Sequence, residues 1–319
     1  LRLKAPRAAS YTTRWGTNEV PERPVELLRL ADPQARALAI ESGEADLAFN
    51  VPATSLPRLA AQGFHTRSVV TTKTEMLFMN LEHPPLDDPL VRRAVALAID
   101  RAELVAAVGG GLRATSLFHP DFSFAPKAPL PLDREAAARL LDEAGWLAGA
   151  DGIRHRDGQR LELLLRHTTR QPDALILAPV LQAQLRTIGI EVAVRGYEST
   201  QPVLDAGDFD LITFNSNTVP SGDGAFILDQ WLRADGPRNH FGYASPAFEA
   251  LMDRLAETRD AAARDALLLQ ISAMLEQEVP VTPLFAVAFH LALTPRLTDY
   301  LAHPSDYFIV RSDMGHRER

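Results

Sequence analysis

An α/β fold is predicted by three features of the sequence. Strand-like and helix-like segments alternate along the chain, the helical segments stop at glycine, and one strand–helix–strand unit reads as parallel. The segments follow in order. PVELLRLAD (24–32) has the composition of a strand. PQARALAIESGEADLAFNV continues as a short helix closed at Gly43 and leads into a strand over 45–51. TEMLFMNL (74–81) is a further apolar run. Asp88-Pro89 then supplies an N-cap and a proline whose missing N–H costs nothing in a first turn. Leu90, Val91, Ala94, Leu97, Ala98 and Leu104 recur at helical spacing as far as Gly109-Gly110-Gly111, which predicts one amphipathic helix with a glycine stop.

FHPDFSFAPKAPLPLD (118–133), rich in proline and aromatics, predicts an ordered loop without regular structure. Asp133 caps the helix REAAARLLDEA, and Gly145 ends it. LELLLR (161–166), a helix within 174–188 that Pro179 starts or kinks, and IEVAVR (190–195) make the strand–helix–strand unit. A helical crossover between two strands favours parallel pairing. FDLITF (209–214) is a buried strand. Ser245-Pro246 opens one helix, 260–278 forms a longer apolar-striped one, and VTPLFAVAFHLAL (281–293) gives two short strands or a single bent one. The closing residues, GHRER, are expected to fray.

Composition limits the function. The 319 residues suit one large domain or two ordinary ones, and 46% apolar with 23% charged residues is enough for a sizeable core. Net charge is −8, so the chain has no general electrostatic pull towards phosphate backbones or anionic membranes, and nucleic acid is a poor candidate partner. The pair Arg92-Arg93 sits among carboxylates and reads as a solvated helix face. With no cysteine there is no thiolate catalysis, disulfide or cysteine metal site. No apolar run approaches the length of a membrane span. The chain opens LRLKAPRAASYTTRW without the apolar stretch of a signal peptide, so it is either cytosolic or a processed or trimmed piece.

Catalytic signatures are missing: there is no GxSxG, Walker A, HExxH or strand-to-helix GxGxxG. Gly109-Gly110-Gly111 follows a helix and reads as a C-cap. The pairs Asp87/Asp88, Asp142/Glu143 and Asp208/Asp210 are explained by capping, turns or solvated faces, and the nine histidines form no HxH or HxxxH pair. The segment most suggestive of a site is 214–243, FNSNTVPSGDGAFILDQWLRADGPRNHFGY. It follows a buried strand, and in open α/β sheets ligands bind beyond the carboxyl ends of strands. Trp231, Phe241 and Tyr243 would give it stacking surfaces, a long connecting loop being the equal alternative.

Six stretches, in order from about residue 35 to 290, resemble the family 5 extracytoplasmic solute-binding proteins of ABC importers for peptides and nickel. They are FMNLEHPPLDDPLVRRAVALAIDRAELV, DREAAARLLDEAGW, LQAQLRTIGIEV, GDFDLI, GYASPAFEALMDRLAET and VPVTPLF. The resemblance implies a two-lobed, hinge-closing fold of the type II periplasmic-binding-protein kind, without catalytic activity. Residues 1–78 would form part of lobe one, 79–284 a complete lobe two and 285–319 a return segment to lobe one. Family members are longer and begin with a signal peptide, often with a lipid-anchoring cysteine, so the chain resembles a C-terminal fragment with lobe one incomplete.

It further implies a periplasmic or extracellular monomer that hands a nickel chelate or short peptide to a membrane permease, with no resident cofactor and nickel present only as cargo. In peptide-binding members an aspartate three residues before a "DP" motif pairs with the peptide's amino group. Here Asp223-Gly224 takes the "DP" place and the anchor falls on Pro220, which favours the nickel branch. On that resemblance His240 is the metal ligand, with Asn215, Ser216, Asn217, Asp223, Trp231 and Tyr243 lining the cleft. The alternative from another class is the small-molecule-sensing domain of an intracellular transcription regulator.

Overall fold

The computed structural model describes residues 25–304 and 309, together with the strand segments 2–4, 11–13 and 16–18; the terminal GHRER lies outside the described residues. The chain folds as two compact units, Leu1–Thr71 with Ala288–Arg319, and Thr72–Val287.

In the first unit, β1 (Arg2–Lys4), β2 (Tyr11–Thr13), β3 (Gly16–Asn18) and β4 (Glu26–Leu28) form two antiparallel pairs, β1 with β4 and β2 with β3. The strand read over 24–32 thus shrinks to three residues, because Asp32 already belongs to the next helix. Its carboxylate accepts from the Ala35 amide at 2.8 Å and starts α1 (Pro33–Glu41) on a proline. Gly43, at φ +76°, turns the chain out of that helix into β5 (Leu47–Phe49), and α2 (Leu56–Ala61) follows. Ala37, Ile40, Ala48, Val51, Leu59 and Ala292 pack together as a small core.

β6 (His65–Met79) begins in this unit and runs into the second, far longer than the apolar 74–81 suggests. Its first half, HTRSVVTTK, is only partly buried and so shows no apolar run.

The second unit opens with α3 (Pro89–Ala98) and α4 (Arg101–Val108), two helices where the apolar spacing predicts one. Ile99 and Asp100 are extended, and the Asp100 carboxylate accepts from the amides of Ala102 at 2.9 Å and Glu103 at 3.1 Å, a second N-cap. Asp100→Ala is expected to lower unfolding stability by about 1 kcal/mol in a urea titration, whereas loss of a solvated mid-helix aspartate would change little.

β7 (Leu112–Arg113), α5 (Arg134–Glu143) and a small antiparallel ribbon of β8 (Leu147–Ala148), β9 (Arg154–Arg156) and β10 (Gln159–Arg160) come next. They lead to β11 (Glu162–Thr168), α6 (Pro172–Arg186) and β12 (Glu191–Tyr197), the expected parallel unit. The helix begins at Pro172, and Pro179 sits inside it. α7 (Thr200–Ala206), β13 (Leu211–Asn217), α8 (Ala225–Trp231), α9 (Pro246–Glu257) and α10 (Ala261–Glu278) complete the unit. β14 (Val281–Leu293) is one continuous strand that leaves it, and in the first unit its far end pairs antiparallel with β5.

The sheet of this unit runs β12-β11-β13-β6-β14, with β7 on β14. β12, β11 and β13 are parallel, and β6 is antiparallel to β13. Alternate residues face opposite layers. Leu77, Met79, Leu163, Leu165 and Leu211 pack with α3 to α6, while Met76, Phe78 and Ile212 pack with α8 to α10.

Arg92 corrects the solvated-face reading of Arg92-Arg93. It is buried, donating from Nε to the Glu278 carbonyl at 3.0 Å and from Nη1 to those of Leu86 at 2.9 Å and Asp87 at 3.0 Å; Arg93 alone is exposed. Three carbonyls satisfied by one guanidinium explain why a charge can be buried here without a carboxylate in direct contact.

Candidate functional site

β11, β12 and β13 end together at Thr168, Tyr197 and Asn217, so their carboxyl ends form one edge of the sheet. Because β6 runs antiparallel to β13, it places Glu75 directly opposite Asn215 at that edge. Asn215 Nδ2 donates to Glu75 Oε2 at 2.9 Å and to Gln171 Oε1 at 2.7 Å. Gln171 is the residue that precedes α6, and Asp173 lies in that helix's first turn. Strand register and a helix start therefore bring two carboxyls and two amides to one place. Thr213, two residues before Asn215 on the same face, has a buried hydroxyl with no partner among the described residues.

The electrostatics of this edge are those of a buried acid. Glu75 is 5% exposed, and burial pushes its carboxyl up to about 7; the Asn215 hydrogen bond works against the shift and nearby Asp173 adds to it. Asp173 is also raised by burial. The pair can hold or release a proton near neutral pH, and its oxygens can accept from ammonium, N–H or O–H groups of a ligand.

The residues expected to line one cleft are separated. Asn215, Ser216 and Asn217 stand at this edge, although the Asn217 side chain is already engaged, its Oδ1 accepting from Thr72 Oγ1 at 3.0 Å and the Val219 amide at 3.2 Å. Asp223 accepts from the Ala225 amide at 2.9 Å just before α8 and pairs with Arg264 Nη2 at 2.7 Å, so its charge already has a partner in the fold. Trp231 and Tyr243 are corrected from ligand-stacking residues to core: each is 3% exposed. The Trp231 ring lies 4.9 Å from Phe214, 5.3 Å from Phe78 and 6.1 Å from Phe241, between centroids. The Tyr243 hydroxyl donates to Glu278 Oε2 at 2.6 Å. Phe241 is likewise buried, 4.2 Å from Phe78.

His240 lies at the other end of the sheet. The carbonyl of the next residue, Phe241, accepts from the Leu81 amide at 2.9 Å. Leu81 is six residues beyond Glu75, about 20 Å at the rise of an extended strand. The grouping of His240 with Asn215 and Asn217 is thus corrected: the antiparallel run of β6 sets them at opposite edges. Among the described residues no three His, Asp or Glu side chains gather where they could hold a metal ion, and no helix is long and apolar enough to cross a membrane. Glu75 and Gln171 were missed by the sequence reading, though a carboxylate inside the apolar run TEMLFMNL was a readable sign.

The sequence model of the bacterial extracellular solute-binding proteins, family 5 Middle, matches residues 12–239. The nickel-binding periplasmic protein of Escherichia coli (strain K12) is 27% identical over 283 residues, covering 84% of this chain and 54% of the relative. The oligopeptide-binding protein AppA of Bacillus subtilis (strain 168) is 26% identical, covering 86% of this chain and 52% of the relative. The crystal structure of NikA from Brucella suis in complex with Fe(III)-EDTA superposes with a TM-score of 0.81 at 27% identity, over 95% of this chain and 62% of that one. The chain thus spans about half the length of the curated relatives it matches.

Proposed function

The chain belongs to the bacterial extracellular solute-binding proteins of family 5, and from that membership we propose that it is part of the ligand-catching receptor of a bacterial ABC importer. It works outside the cytoplasmic membrane, as a monomer tethered there by lipid or free, and delivers its ligand to a membrane permease. The ligand is a nickel chelate or a short peptide, and no reaction is assigned to the protein. The names of its relatives support this, being those of nickel- and oligopeptide-binding proteins. The sensor-domain alternative has no comparable support.

The observation that carries the reading is the Glu75–Asn215–Gln171 array at the carboxyl edge of the sheet. A buried carboxyl beside an amide suits the N–H donors that amino-acid chelates of nickel and peptide ammonium groups have in common. On the resemblance to peptide-binding members the amino-group anchor would fall on Pro220, which supports taking the chelate first.

Calorimetric titration of the natural full-length protein with nickel, with and without free histidine, and with a mixture of di- and tripeptides decides between them. Heat with the chelate alone is expected. Asn215→Ala should weaken that binding at least tenfold, and His240→Ala should leave it unchanged, since His240 lies at the far edge. Full affinity in the Asn215 variant would remove the array from the site; absence of heat with every ligand would overturn the receptor reading.

A further inference from the structure

A cavity of about 370 Å³ opens within the Thr72–Val287 unit, away from the Glu75 edge. It adjoins the start of β14, where the Met79 amide donates to the Pro280 carbonyl, and so lies towards the opposite end of β6 from Glu75. Ala96 and Leu97 of α3, with Leu130 and Pro131 of the 118–133 loop, give it an apolar wall.

The polar wall holds three groups that the fold leaves incompletely used. Arg101 is 6% exposed; its Nε donates to the Pro283 carbonyl at 2.8 Å and its Nη1 to that of Ile99 at 3.4 Å, while Nη2 donates to none of the described residues. Thr282 is 1% exposed, and its hydroxyl, like that of Thr115, is buried without a hydrogen-bond partner among the described residues. Buried hydroxyls without partners are costly and uncommon, and two of them line one cavity beside a buried cation. Arg93 and Glu276, both exposed, are the other charged residues of the lining, so the cavity carries two guanidiniums against one carboxylate. Burial lowers Arg101 to about 10, which leaves it charged at neutral pH.

We infer that this cavity is a second ligand site, one for a small amphipathic monocarboxylate. The carboxylate takes the free Arg101 N–H groups and, once the two side chains turn towards it, the hydroxyls of Thr115 and Thr282, while its hydrocarbon part lies on Ala96, Leu97 and Leu130. The volume falls in the range of small-molecule pockets, and the mixed lining selects against both free inorganic anions, which leave the apolar wall uncovered, and cations.

Hexanoate, 1-hexanol and hexylamine are the probes, titrated into the full-length protein and followed by ligand-observed NMR. Hexanoate should saturate, hexanol should bind at least tenfold more weakly, and hexylamine should not bind. Thr282→Val, a near-isosteric change, should weaken hexanoate severalfold while leaving the unfolding midpoint of the ligand-free protein unaltered or raised. Arg101→Met should abolish binding, and Glu75→Gln should not affect it. Equal affinity for hexanoate and hexanol, undiminished hexanoate binding in Thr282→Val, or binding of neither probe would overturn the inference.

Discussion

Glu75→Gln should stabilise the protein by about 3 kcal/mol at pH 8 and leave it unchanged below pH 4.5. Burial raises this carboxyl from its ordinary 4.5 to about 7. Between those values the native state binds the proton more tightly than the unfolded chain, so the Glu75 contribution to stability falls as pH rises through the window. Above pH 7 the full cost of a buried, ionised carboxylate is present. Glutamine keeps an oxygen to accept from Asn215 Nδ2 and carries no charge, so the variant loses that part of the pH dependence. Urea unfolding of both proteins at pH 4, 6 and 8 measures it. Two stability curves that run parallel across the window would show that Glu75 titrates at an ordinary value.

Trp231→Ala should lower stability by about 3–5 kcal/mol, the usual result of emptying a large aromatic site in a core. Trp231→Phe should cost much less, because Phe78, Phe214 and Phe241 still have a ring to pack against. Binding by the fraction that remains folded should match the unsubstituted protein. A residue that stacked on ligand from a polar loop would behave in the opposite way, with unchanged stability and reduced affinity. Chemical denaturation and titration of the same two variants therefore separate the roles.

What could be read from the sequence was what is decided locally. Asp88, Asp133 and Ser245 each cap the helix that their neighbours predict, through an amide two or three residues away. The glycine stop before β12 and the parallel β11–β12 pairing follow from a crossover of helical length. Asp100 escaped notice because apolar spacing continues through it, and periodicity alone does not separate one helix from two in line. Arg92 looked solvated because its carbonyl partner Glu278 is 186 residues away.

The site was less legible for the same reason. Glu75 and Asn215 are 140 residues apart and meet through strand register, which no short window contains. Asn215 was expected to line a cleft because it follows the apolar run 209–214, and it stands at the carboxyl edge of the sheet. Trp231 and Tyr243 were misplaced because aromatics near polar residues look the same in sequence whether they face a ligand or a core.

The late position of β14 in the chain affects how the protein is made. Leu284 and Phe285 belong to the same core as Val91, Ala94 and Ala98 of α3, and Arg92 waits for the carbonyl of Glu278. Some 190 residues are translated between that helix and those partners, on the order of ten to forty seconds at typical elongation rates. For that interval a nascent chain presents an apolar helix face and an unmet buried cation. Such a face is a natural target for chaperones that hold chains unfolded until synthesis ends.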